Sequence, residues 1–411
     1  MAGDSAKNST GNEVNGSSTN LDNPSESQAG IFPRESVSQA LPESLVAPQH
    51  GVFMQTVRCI SLVIFFIVSS VCIYGTQLVG YPIKYVSEPF FHAWVDFTKQ
   101  SFGLLLVVVT QYWTPVKVTV SGDKSVKGIF SLDEKSLLQT KIPDRAIVIS
   151  NHQLYSDWVF LWYIAYTARA HGGIYIMLKD SLKKIPIWGW GMQIYGFIFL
   201  NRKWSQDEQV LTSGLQRINN ESDWPAWLTL FPEGTTFSRN GVRKSTEYGK
   251  KADLEIPRHV LLPRVRGLRK SLLELDTSIE YLYDATIHYS GIPKGVYGED
   301  FFTLRNMYLR GISPSRIVMY WRRIAIKDIP YQDEKEFEQW TLKFWYEKDQ
   351  MLDNFTTSGK FADDSPDEVD PPVTADVKLE SPFQAFQIFS VPLNILLILN
   401  IIRLNYSRFF S

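Results

Sequence analysis

A histidine and an aspartate with four residues between them stand out in the stretch Asn151-His152-Gln153-Leu154-Tyr155-Ser156-Asp157. The stretch follows a strand-like run at 146–150 and opens a helical pattern at 154–170. A His at a strand end and an Asp one helical turn later meet at the helix N-terminus. There the carboxylate accepts a hydrogen bond from one ring nitrogen, fixes the tautomer and leaves the other nitrogen free as a base. A base near neutral pH suits removal of a proton from a hydroxyl. Taken alone the pair is weak, because the same spacing also describes an Asp that caps a helix beside a solvated His.

Further strand ends carry polar groups. The run Gly196-Phe197-Ile198-Phe199-Leu200-Asn201-Arg202 ends in a guanidinium, and Lys179 and Lys183 lie upstream. Arg forks and Lys ammonium groups are suited to phosphate, although Arg202 equally reads as a solvated strand-end charge. Phe231-Pro232-Glu233-Gly234-Thr235 follows another strand-like run. Its glycine lets backbone approach a ligand and offer an N–H, and its carboxylate can hold a substrate hydroxyl or a basic residue; the bland reading is a plain turn. Leu262-Pro263-Arg264 closes one more apolar run.

The elements that must position these groups alternate between short β-branched runs and longer helical patterns over 115–360. That pattern predicts an α/β fold with a mixed, largely parallel sheet flanked by helices. Strands are predicted at 146–150, 174–178, 197–200, 227–231, 260–262, 285–289 and 316–326, and helices at 154–170, 206–218 and 334–352. Ser205 with Glu208 fits a capping box at the start of the second helix. Residues 59–80 form a run of 22 residues without charge, long enough for a bilayer. The apolar stretch 102–109 is shorter and suits a membrane-lying or re-entrant helix. Residues 361–380 hold seven acids against Lys378 and three prolines, which predicts a solvated linker. The chain thus divides into a disordered Ser/Asn-rich tail (1–50), N-terminal membrane helices (51–114), an α/β domain (115–360), an acidic linker (361–382) and a C-terminal membrane helix (383–411).

Composition excludes several classes. With 42 basic and 43 acidic residues in 411, the net charge of −1 gives no footprint for nucleic acid. Two cysteines, Cys59 and Cys72, both inside an apolar run, exclude a disulfide framework and a Cys-based zinc site. The six histidines show no metal-ligand spacing, so neither metal nor cofactor is expected. No G-x-S-x-G nucleophile elbow occurs. Gly189-Trp190-Gly191 lacks the third glycine of a dinucleotide fingerprint, Ile194 standing in its place. The tryptophans at 158, 162, 188, 190 and 204 suit either a core or a membrane-interface surface.

The blocks NHQLYSD, GFIFLNR, FPEGT and LLPR, in this order and spacing, resemble the glycerolipid acyltransferase family over about residues 140–330. The longer stretches SNHQLYSDWVFLW, LKDSLKKIPIWGWGMQIYGFIFLNRKW and YDATIHYSG are similar to the branch of lysocardiolipin and lysophosphatidylinositol acyltransferases. The resemblance implies an integral membrane enzyme of the endoplasmic reticulum or a related endomembrane. It implies acyl-CoA as co-substrate and a lysophospholipid as acceptor. His152 would be the base and Asp157 its orienting partner; Arg202, with Lys179, would grip the acceptor phosphate. Glu233, Gly234 and Thr235 would hold the acceptor. One departure is Thr236, where many lysophosphatidic acid enzymes carry Arg; its loss weakens recognition of a doubly charged phosphate monoester unless Arg239, Arg243 or Lys244 compensates. The alternatives are a CoA-independent transacylase and, from another class, a catalytically silent membrane-shaping protein. Topology stays open: Arg58 and Lys84 flank the first apolar helix evenly, and Asn220 and Asn354 sit in glycosylation sequons.

Overall fold

The computed structural model describes residues 47–201, 203–362 and 367–409, with 403–409 by backbone alone. The expected N-terminal tail falls almost wholly outside the described residues.

The chain opens with α1 (Val52–Gly80), joined by a short 3-10 turn to α2 (Glu88–Trp113). The two run antiparallel. The Trp94 indole donates to Thr76 O at 2.8 Å, and Phe65 stacks on Trp113 with centroids 5.7 Å apart. A Cβ on Gly80 would lie 2.0 Å from the Trp94 ring, so only glycine permits this approach. α1 keeps a wide apolar face exposed, Phe53, Ile60, Ile64 and Val68 among it. α2 does not: Leu104 to Val109 are all buried. The stretch 102–109, expected at a membrane, is instead core, because α2 roofs the sheet-packed helix that follows.

That domain contains β1 (Lys117–Gly122), the hairpin β2 (Phe130–Leu132) and β3 (Leu138–Thr140), and β4 (Arg145–Ser150). There follow α3 (Asp157–Thr167), β5 (Ile174–Lys179), α4 (Trp188–Ile194), β6 (Ile198–Leu200), α5 (Trp204–Asn220) and β7 (Ala226–Leu230). Next are α6 (Arg239–Ala252), α7 (Val265–Leu275), β8 (Tyr281–Ser290), α8 (Gly298–Phe301) and β9 (Arg316–Ala325). The described chain closes with α9 (Glu334–Ser358), β10 (Val373–Asp376) and α10 (Ser390–Phe409).

The main sheet has eight strands in the order β10-β1-β9-β8-β4-β7-β5-β6. β8, β4, β7, β5 and β6 are mutually parallel, so all five end on one edge. β4 lies at the centre and is buried on both faces. Ala146 and Val148 enter the core on the α2–α3 side, and Ile147 and Ile149 enter the core shared with α5, α7 and α9. That two-sided burial is why 146–150 reads as an unbroken apolar run rather than an alternating one. α3 is apolar all round because it is enclosed, with Val159 to Thr167 all buried. α5 and α7 bury one stripe each, Leu211, Leu215 and Ile218 against Leu268, Leu272 and Leu275. Each fully buried Leu there contributes about 2 kcal/mol.

The mixed α/β class and its largely parallel sheet agree with the sequence reading, and several local expectations do not. Residues 260–262 join no strand ladder. α5 starts at Trp204, so Ser205 lies inside it. Buried Asp207 does the capping work, accepting from Asn201 N at 2.6 Å and Lys203 N at 2.9 Å. The acidic stretch 361–380 contributes β10, which pairs antiparallel with β1 at the sheet edge. The tryptophans divide between core and surface: Trp162 is core, whereas Trp188 donates to Ser70 Oγ on α1 at 3.0 Å and Trp190 is half exposed beside Tyr74. Two helical segments, Val52–Tyr85 and Pro382–Ile402, are long and apolar enough to cross a membrane. α10 touches α1, so the two lie side by side.

Candidate active site

The parallel topology gathers the sequence motifs. The His152 loop leaves β4, the Phe231–Thr235 turn leaves β7, Lys179 ends β5 and Asn201 follows β6. Ligands of open α/β sheets bind at this carboxyl edge.

Asn151 fixes where the chain departs. Its side-chain amide donates to Ile287 O at 2.9 Å and accepts from Ile287 N at 2.8 Å, so it extends the β4–β8 ladder with a side chain. His152 then stands just beyond the sheet. Its Nδ1 lies 2.8 Å from Asp157 Oδ2. Asp157 is the first residue of α3 and is fully buried. Its carboxylate also accepts from Leu154 N at 3.0 Å and from the Tyr289 hydroxyl at 2.5 Å. An acceptor-only partner assigns the hydrogen to Nδ1 and leaves the Nε2 lone pair outward. Among the described residues no hydrogen bond engages Nε2. Burial, then the Asp157 charge, pushes the Tyr289 phenol well above its ordinary pKa, so it remains a donor.

The ring is also held from behind. His152 stacks on Phe231 with centroids 4.1 Å apart and planes 20° apart. Phe237 N donates to His152 O at 2.6 Å. Glu233 Oε1 accepts from His152 N at 3.3 Å. Glu233 is buried beneath the loop, and that burial raises its pKa well above the carboxylate range. Backbone N–H groups of Leu261 and His152 and the charge of Lys348 pull it partly back. Glu233 Oε1 therefore braces the loop backbone, while its Oε2 is buried with no hydrogen-bond partner among the described residues. Gly234, at φ +71°, turns the chain, and its N–H bonds Phe231 O at 2.9 Å, so that N–H serves the turn and is not offered to a ligand. Thr235 is half-buried in the same turn.

Lys179 is exposed at the end of β5, in register with Leu200. Its strand is two away from β4, or about 10 Å at ordinary strand spacing. Arg202 lies outside the described residues. Its flanking Asn201 and Lys203 are the two anchored by Asp207.

Sequence reasoning left three groups without a role. Asn151 was quoted within its motif, and Tyr289 as the end of a predicted strand. Arg264 closes LLPR; its N–H bonds Pro232 O at 2.7 Å, and its exposed side chain lies over Gly234. Among the described residues no cluster of three His, Cys, Asp or Glu side chains is placed to hold a metal ion.

A family model described as Acyltransferase matches residues 131–280, and one described as Acyltransferase C-terminus matches 307–381. An uncharacterized acyltransferase of Schizosaccharomyces pombe is 39% identical over 305 residues, covering 74% of this chain and 87% of its own length. The 2-acyl-1-lysophosphatidylinositol acyltransferase of Saccharomyces cerevisiae is 37% identical over 302 residues, with 65% and 76% covered. Lysocardiolipin acyltransferase 1 of Gallus gallus is 28% identical, with 72% and 73% covered.

Proposed function

Because the chain belongs to the acyltransferase family, we propose that it moves a fatty acyl group from acyl-CoA to the free hydroxyl of a lysophospholipid at an endomembrane such as the endoplasmic reticulum. The observation that carries this reading is the outward Nε2 of His152, backed by Asp157 and Tyr289 at the carboxyl edge of the sheet.

His152 Nε2 takes the proton of the glycerol hydroxyl as its oxygen attacks the thioester carbonyl. The tetrahedral intermediate collapses, the carbon–sulfur bond breaks, and the CoA thiolate takes the proton back from His152. Nothing is oxidised or reduced, and no acyl-enzyme forms. Asp157 stabilises the transient imidazolium and keeps its ring in place. Lys179 and Arg202 supply cations for the acceptor phosphate. Gly234 and Thr235 shape the turn beside the acceptor, over which Arg264 lies. The exposed apolar face of α1, bridged to the β5–β6 end by α4, supports delivery of both lipids from a membrane.

The test is transfer of labelled oleate from oleoyl-CoA to a panel of lysophospholipids by purified protein in detergent or liposomes. His152→Ala should lower the rate roughly 10²–10⁴-fold, the usual contribution of a positioned base. A fully active His152→Ala protein, or transfer that needs a phospholipid donor and ignores acyl-CoA, would overturn the reading; the second result would identify a transacylase.

A further inference from the structure

The lip of the site carries a carboxylate that the acyl-transfer step does not use. Glu299, on α8, accepts a hydrogen bond from Thr236 Oγ1. The Tyr155 hydroxyl faces the same carboxylate, whose proximity and charge are the main reasons the phenol's pKa is raised. Both groups belong to the His152 surroundings. Tyr155 lies in the loop between His152 and Asp157, and it is largely exposed. Thr236 precedes Phe237, whose N–H bonds His152 O. α8 itself is seated tightly, since a Cβ on Gly298 would lie 3.0 Å from Leu154 and 2.9 Å from Ile292. Glu299 is thus a fixed, partly exposed anion beside the catalytic loop, with Arg239 on the same lip near Tyr297.

We propose that Glu299 is a specificity-determining residue that selects acceptors whose phosphate is a diester bearing a hydroxyl-rich headgroup. This rests on the acyl-transfer reading above. Only a few bonds separate an acceptor's glycerol hydroxyl from its phosphate, so an oxygen seated at His152 brings the headgroup to this lip. A phosphate monoester carries up to two negative charges near neutral pH, its second pKa being about 6. A diester carries one. The extra charge of the monoester meets a fixed carboxylate in a site partly screened from water, where like charges repel appreciably. A polyol headgroup reverses the sign of the contact, because its hydroxyls donate to the carboxylate as Thr236 already does, and bonds to an ionised acceptor are the stronger kind.

The experiment measures kcat/KM for lysophosphatidylinositol and for lysophosphatidic acid with oleoyl-CoA, using full-length wild type, Glu299→Gln and Glu299→Asp. Glu299→Gln should lower the inositol-to-monoester ratio about tenfold, chiefly through the two acceptor KM values. The KM for oleoyl-CoA should stay put, and Glu299→Asp, which keeps the charge, should restore most of the preference. An unchanged ratio in an active Glu299→Gln protein overturns the assignment and leaves the acyl-transfer reading standing. So does an equal loss on both acceptors, which a merely structural role would give. Wild type inactive on every lysophospholipid with acyl-CoA would overturn both together.

Discussion

Two carboxylates, Asp157 and Asp284, are both fully buried, and each is bound by several partners. Asp284 on β8 meets cations only. Lys348 Nζ of α9 lies 2.6 Å from its Oδ1, and Arg322 of β9 donates to its Oδ2 through Nε at 3.2 Å and Nη2 at 3.0 Å. Lys348 spends its other hydrogens on Ala285 O and Thr286 Oγ1, and Arg322 also reaches Glu347. The network's hydrogen bonds stay among these groups, although the charge of Lys348 also reaches Glu233. Asp157 is bound by a backbone N–H, a phenol and one nitrogen of a partly exposed imidazole, and its chain of bonds ends at the lone pair of His152 Nε2. One buried carboxylate locks three elements together, and the other directs a base at solvent. What separates a structural anion from one that can serve the proposed transfer is whether the last partner in the chain has a free site. β8 joins the two regions, since it carries Asp284 near its middle and Tyr289 at its end.

The largest expected effect breaks the first region without unfolding it. In Asp157→Asn the amide no longer guarantees an acceptor for Nδ1–H, so the His152 tautomer is lost. Transfer should fall about 10³–10⁴-fold in kcat while the melting temperature in detergent shifts little. A variant with normal kcat would show that the tautomer is held by something other than Asp157. The matching change in the second region should do the opposite. Asp284→Asn leaves Lys348 and Arg322 facing a neutral amide, and breaking a buried pair costs roughly 3–5 kcal/mol. The protein that remains folded should keep an ordinary KM for acyl-CoA. A normal unfolding midpoint in chaotrope would dismiss the network as a structural lock.

What was legible in the sequence follows the same division. His152 and Asp157 are close along the chain, so their meeting at a helix start is a local fact that spacing reveals. The largely parallel character of the sheet was readable from the short apolar runs, and parallel strands bring the motifs to one edge; the strand order was not readable. Tyr289 is 132 residues from its partner Asp157, and only the β4–β8 pairing makes them neighbours. The inward turn of Glu233 is likewise invisible, because a carboxylate in FPEGT looks the same whether it meets substrate or backbone. α6 escaped notice since its sequence, RNGVRKSTEYGKKA, is mostly charged and polar and buries only Gly241 and Gly249. The 102–109 run illustrates the converse: apolar residues suit a membrane and a core equally, and packing of α2 against α3 decided between them.

A smaller effect sharpens the comparison through two histidines on neighbouring strands. His152 is open at one nitrogen, whereas His288 is largely covered between β8 and α9, with Phe355 at 4.8 Å between ring centroids. Burial, and secondarily the charge of His259, pushes the pKa of His288 down to about 4. His259 itself pairs with Asp353 at 3.0 Å. An unfolded histidine titrates near 6.5, so between about pH 6.5 and about pH 4 the unfolded chain binds a proton that the native chain refuses. Stability is therefore whole above about pH 6.5 and falls as the pH drops through that window, by about 2 kcal/mol from this group at pH 5. His288→Leu should flatten part of the loss in melting temperature between pH 7 and pH 5, and His152→Ala should leave that loss unchanged. If both variants lose stability with acid as wild type does, His288 is not shielded, and the acid sensitivity belongs to other buried groups such as His171, whose pKa burial also lowers to about 4. If His152→Ala alone flattens it, the division between an open catalytic region and a closed structural one fails, because the base would then also carry part of the fold's stability.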